Sequence, residues 1–221
     1  SYLEDKVTLF DNSRDRYSKL IYHYDKAGNK LKQLEYLIKE AETYFKQTHK
    51  LFPILHKKYI DNEQILFLKK KDAQNYLDEI DRLIDKIRRR NYDGEKIKKL
   101  EIKYLNLRSR YYLCQGEYSK AVYHIEEMIE QAKKINDKDI LLEGYQELAG
   151  FGIQKEDPAL IEANAKKILD LTEQDISGVG YRYLGVAELY KGNYSNAKQN
   201  FEKALKKHRK DSIEYRLPSK V

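Results

Sequence analysis

Two nearly identical turns, QGEYSKA at 115–121 and KGNYSNA at 191–197, lie 76 residues apart, each set between stretches with apolar residues at helical spacing. A helix–turn–helix block of this kind cannot bury its apolar face alone, so copies of it must stack on one another. That requirement constrains the fold more than any other feature of the chain. The spacing is twice 38, which leaves room for one more hairpin between the two turns, and LLEGYQELAGFGIQKEDPALIEANAKKILDL fills the slot.

The C-terminal copy reads YRYLGVAELYKGNYSNAKQNFEKAL. Tyr181, Leu184 and Gly185 open its first helix, Gly192 and Tyr194 make the turn, and Ala197, Phe201, Ala204 and Leu205 line the second helix. Gly185 admits the second helix closely, Gly192 permits the turn, and the two alanines are small where helices cross. The earlier copy carries Leu105, Ser109, Tyr112, Gly116, Tyr118, Ala121, Ile125, Met128 and Ile129 at the same relative places. In the middle copy Tyr145, Leu148 and Ala149 match the first helix and Ala165, Ile168 and Leu169 the second. There Lys155 to Pro158 replaces the glycine turn, and Pro158 suits a helix start, where its missing N–H costs little.

Upstream the pattern is more divergent. Tyr17, Leu20, Ile21, Tyr24, Gly28, Leu34, Leu37 and Ala41 predict a first hairpin over about 14–48. A second hairpin is expected over 51–90, with Ile65 and Leu68, then Tyr76, Leu77, Ile80, Leu83, Ile84 and Ile87 at helical spacing around Lys69–Lys71. The stretch NYDGE at 91–95 is a plausible break. The organisation expected is therefore residues 1–95 as divergent hairpins and 96–221 as regular repeats (about 102–138, 142–174 and 178–210), all in one continuous solenoid. The end around Pro218 is expected to fray.

Composition agrees with helices: 36% charged and 41% hydrophobic residues, with three prolines and ten glycines. No window approaches the roughly 18 apolar residues that span a bilayer, and SYLEDKVTLF lacks the basic-then-apolar order of a signal peptide, so no membrane and a cytoplasmic location are expected. Cys114 stands alone and is expected to be a small buried or half-buried residue. The five histidines (His23, His49, His56, His124, His208) are scattered, and neither a metal site nor a cofactor is expected. No phosphate loop, H-E-x-x-H or G-x-S-x-G occurs, so no catalytic residues are assigned and the reading is that of a non-enzyme.

The formal charge of +7 would suit nucleic acid, but 36 acidic residues are interleaved with 43 basic ones. KIRRR at 86–90 is explained by a helix C-terminus, where positive charge gains a few tenths to about 1 kcal/mol. Twenty tyrosines could stack on bases, yet Tyr112, Tyr118, Tyr181 and Tyr194 are expected at packing places of the repeat. A nucleic-acid-binding helical repeat remains an alternative that this charge pattern argues against.

The three C-terminal copies resemble the tetratricopeptide repeat. The resemblance implies an all-α, TPR-like α-α superhelix of about five helical hairpins, with the first helix of each repeat lining a concave groove. It places Lys103, Asn106, Arg110, Gln146, Arg182, Val186 and Tyr190 on that groove, alternating with the packing residues Leu105, Tyr112, Tyr145, Leu148, Tyr181 and Leu184. The expected partner is a protein or peptide, held by Asn and Gln amides and by Arg110 and Arg182 on a carboxylate. Other domains of the same polypeptide are further candidate partners. The stretch IYHYDKAGNKLKQLEYLIKEAETYF resembles the start of the helical-repeat region in bacterial signalling ATPases and LuxR-type regulators, the maltose-responsive activator group. This implies a sensor region of a larger regulator of transcription. Peptide-pheromone receptors of Gram-positive bacteria, which also carry a tetratricopeptide domain, are the alternative.

Overall fold

The computed structural model describes residues 13–45, 69–90, 94–171 and 177–211, and these residues contain nine α-helices and no strand. In chain order they are α1 (Ser13–Lys26), α2 (Lys30–Tyr44), α3 (Lys70–Arg88), α4 (Glu95–Cys114), α5 (Tyr118–Lys134), α6 (Lys138–Gln154), α7 (Pro158–Leu171), α8 (Ser177–Tyr190) and α9 (Tyr194–Asp211). The fold is all-α, with helices packed in consecutive pairs. The expected hairpin at 14–48 is α1 and α2. Of the one expected over 51–90 only α3 is described; Ile65, Leu68, His49 and His56 lie outside the described residues, as do 91–93 of the expected break and the end around Pro218.

One turn geometry recurs five times among the described residues. At Gly28, Gly116, Asn136, Glu156 and Gly192 the backbone turns left-handed, with φ of +69°, +74°, +52°, +53° and +77°. At each, the N–H of the turn residue donates three residues back and the next N–H donates five residues back. Thus Gly192 donates to Leu189 C=O at 3.0 Å and Asn193 to Glu188 C=O at 2.8 Å, while Glu156 donates to Ile153 at 3.1 Å and Asp157 to Gly152 at 2.9 Å. This double closure satisfies carbonyls that a helix end leaves without partners. The middle repeat thus keeps the glycine geometry with a glutamate in the glycine's place.

Three of the helices that follow are capped by the next side chain. Asn29 accepts from Lys32 N–H at 3.1 Å, Asp137 from Ile140 N–H at 3.2 Å, and Asp157 from both Ala159 and Leu160 N–H at 3.0 Å. Pro158 occupies the first position of α7, as expected.

The chain divides into two compact units, residues up to His124 and residues from Ile125 on. In the first, α3 buries Ala73, Leu77, Ile80, Leu83, Ile84 and Ile87 along one stripe, which meets Leu34, Leu37, Ile38 and Ala41 of α2 and Ile97, Leu100, Tyr104 and Leu107 of α4. Tyr104 Oη donates to Leu77 C=O at 3.1 Å, tying α4 to α3. Lys86 and Arg88 lie in the last turn of α3, and Arg88 pairs with Glu101 at 2.8 Å, so KIRRR does close a helix.

In the second unit small residues set the helix separations. A Cβ on Gly185 would stand 2.6 Å from the Phe201 ring, so the expected close approach of α8 and α9 holds. A Cβ on Gly144 would meet Ile129 at 2.5 Å, and one on Gly180 would meet Leu169 at 2.6 Å. Ala165, Ile168, Ala187, Ala197 and Ala204 are buried between these helices.

Three expectations are corrected. Tyr194 is 73% exposed and Tyr118 is also exposed; each opens its helix immediately after the turn. Leu205 is exposed rather than lining the α8–α9 contact, which Phe201 and Ala204 make. Cys114, the last residue of α4, is exposed.

Candidate functional site

The turn residues give a common register for the repeats. Ten residues before Gly116, Glu156 and Gly192 stand Asn106, Gln146 and Arg182, a polar side chain at the same repeat position of α4, α6 and α8. Asn106 and Gln146 are buried and Arg182 is half-buried. Four residues further along each helix come Arg110, Gly150 and Val186, of which Arg110 and Val186 are buried. Lys103 and Tyr190 are exposed. Ser109, one turn after Asn106, is buried and donates to the Asn106 C=O at 2.7 Å.

In the second unit α6 and α8 run side by side and parallel. Tyr183 Oη donates to Gln146 C=O at 3.4 Å and Tyr190 Oη to Ile153 C=O at 3.3 Å, contacts seven residues apart on both helices. The sequence reading singled out Tyr190 and passed over Tyr183; its signal was the same two-turn spacing. Burial pushes the Tyr183 phenol up to about 12, with Arg182 pulling it back down. Burial also lowers the Arg182 guanidinium from its usual value, and Tyr183, whose ring centroid lies 5.9 Å away, partly restores it. The cation therefore sits in a partly dehydrated place, where attraction to an anion is stronger than in water.

Gln146 is 8% exposed, and its Nε2 donates no hydrogen bond among the described residues. A buried amide donor left this way costs about 1–3 kcal/mol. The half-buried Arg182 guanidinium is the group on the α6–α8 face that a peptide carboxylate reaches directly, and the unspent Gln146 donor lies closed beneath that face.

A second feature is a cleft of about 310 Å³ between α7, α8 and α9, lined by Glu162, Lys166, Leu184, Glu188, Asn196, Gln199, Asn200 and Lys203. Three of its four charged lining groups, Glu162, Lys166 and Glu188, are held in ion pairs. Lys191 pairs with Glu162 and, at 3.0 Å, with Glu188; Lys166 reaches Glu162 at 2.7 Å; Asn193 and Asn196 donate to Glu188 at 2.9 and 3.2 Å. Lys166 and Lys191 hold the Glu162 carboxyl down at about 2. This network clamps α7 to α8 and leaves little for a ligand.

No family model, no curated protein and no solved structure matches this chain. Its chemistry has to be read from its own residues. Among the described residues no three His, Cys, Asp or Glu side chains gather where a metal ion could sit, and no helix is long and apolar enough to cross a membrane.

Proposed function

We propose that this chain is a non-catalytic binding region of the tetratricopeptide type, which holds an acidic or C-terminal peptide segment of a protein partner on its α6–α8 face. The observation that carries the reading is the buried Gln146 amide with its unspent donor, one repeat before Arg182 in the same register. A fold does not retain an unsatisfied buried donor for stability, because an apolar residue of the same size would do better. A ligand acceptor that completes the bond gives it a use once the Gln146 amide, closed to solvent as packed, turns outward on binding. The Tyr183 and Tyr190 hydroxyls, each reaching a carbonyl of α6, hold α8 in register with α6, and such preorganisation favours peptide binding. The resemblance of the stretch around α1 and α2 to bacterial regulators supports placing this binding region within a larger cytoplasmic regulator of transcription.

The test is selection from a random-peptide display library at physiological salt. Wild type would be compared with Arg182→Gln and Gln146→Met variants whose helicity is checked by circular dichroism. Arg110 is too buried to serve as a surface substitution. Acidic or free-carboxylate peptides are expected to be enriched. Loss of one charge-assisted bond, about 1.5–3 kcal/mol, lowers affinity by roughly 10- to 100-fold in Arg182→Gln. Enrichment of basic peptides, or equal affinity for all three proteins, refutes the reading.

A further inference from the structure

The same register exposes a regularity between hairpins. Thirteen residues after Gly116, Glu156 and Gly192 stand Ile129, Leu169 and Leu205. Twelve residues before Glu156 and Gly192 stand Gly144 and Gly180. Ile129 of α5 fills the space left by Gly144 of α6, and Leu169 of α7 fills the space left by Gly180 of α8. The distances a Cβ would meet, 2.5 and 2.6 Å, show that only glycine fits either place as packed. An aliphatic knob set into a glycine socket is therefore the rule by which the second helix of one hairpin receives the first helix of the next. Leu205 is the third knob. It is 54% exposed on α9, where Ile129 is 5% exposed.

The surroundings of Leu205 say what kind of helix would complete it. Tyr194 lies three helical turns earlier on the same stripe and is also exposed. Lys198, two turns before Leu205, and Lys206 beside it are both exposed. On the side of the helix that bears Leu205, Lys198 and Lys206 stand against the single carboxylate of Glu202. We propose that this α9 face docks an acidic amphipathic helix of a partner polypeptide, one that presents a glycine to Leu205. The interface continues a contact the protein already makes twice, and the lysines select acidic flanks over basic ones. The surface is separate from the α6–α8 face, so the two readings stand or fall independently.

The test uses a fluorescent helical peptide of roughly 18 residues, long enough to hold a helix, with a Leu-rich apolar stripe, a central glycine and flanking glutamates. Anisotropy titration against the full chain is expected to show saturable binding. Leu205→Ser, an exposed change that leaves helicity intact, weakens it about tenfold, as does a peptide with leucine in place of the glycine. A Lys198→Glu, Lys206→Glu double variant prefers the peptide whose glutamates are replaced by lysines. The proposal is overturned if the peptide does not bind, if Leu205→Ser binds as tightly as wild type, or if the glycine and leucine peptides bind equally.

Discussion

Exchanging glycine and glutamate between equivalent turns isolates the backbone contribution to this fold. Gly192 and Glu156 hold the same hydrogen-bond closure at φ of +77° and +53°. A residue with a Cβ in this region costs about 1–2 kcal/mol. Glycine gives back roughly 0.5–1 kcal/mol of that through its greater freedom in the unfolded chain. The balance leaves glycine ahead by about 0.5–1 kcal/mol at either turn. A Cβ at Gly192 or Gly116 would meet nothing within 4 Å, so no steric clash confuses the comparison. Gly192→Ala should therefore destabilise, and Glu156→Gly stabilise, by similar amounts. Urea titration followed by circular dichroism at 222 nm reads this directly. With a slope of about 2 kcal/mol per molar, the midpoints move about 0.3–0.5 M in opposite directions. Asn136→Gly moves in the same direction as Glu156→Gly but less, because asparagine tolerates this region better than glutamate. A destabilised Glu156→Gly, or a Gly192→Ala indistinguishable from wild type, refutes the argument that these turns are equivalent.

Gly144→Ala places a methyl against Ile129 and Met128 and should cost about 1–3 kcal/mol, more than Gly116→Ala despite the identical chemistry; thermal melts of the two variants decide it. Gln146→Met removes the unspent donor and should raise stability by about 1 kcal/mol even as it weakens peptide binding, so urea midpoint and affinity move in opposite senses. Burial pushes the Glu35 carboxyl up, but Lys39 and Lys96, each at 2.8 Å, overcome it and hold the group at about 2 against an ordinary 4.5. A folded value below the unfolded one means the contribution is present above pH 4.5 and is lost as pH falls toward 2. Stability of wild type should decline over that window more steeply than that of Glu35→Gln; parallel declines would remove Glu35 as the cause.

How much was legible in the sequence depends on the range over which each feature is decided. The helices around the two glycine turns, the hairpin in the slot between them, Pro158 at a helix start and the basic end of α3 all follow from local rules: apolar spacing, left-handed glycine, a missing proline N–H and the helix dipole. Those rules act within a few residues, so a single chain displays them. They also locate the polar places Asn106, Gln146 and Arg182, because a fixed distance from the turn fixes the phase of the helix. What the phase does not fix is which face another helix covers. Tyr194 and Leu205 read as packing residues by spacing yet stand exposed, and Cys114 faces out at the end of its helix. Tyr104 is buried with its hydroxyl bonded to α3, although Leu105 was the residue the spacing favoured. That Glu156 would take a glycine's conformation was likewise decided by the two helices it joins, whose packing outweighs a backbone cost of about 1–2 kcal/mol. Periodicity sets the direction of a side chain about its own helix axis; burial, and with it the unspent donor of Gln146, exists only once a second helix lies against the first.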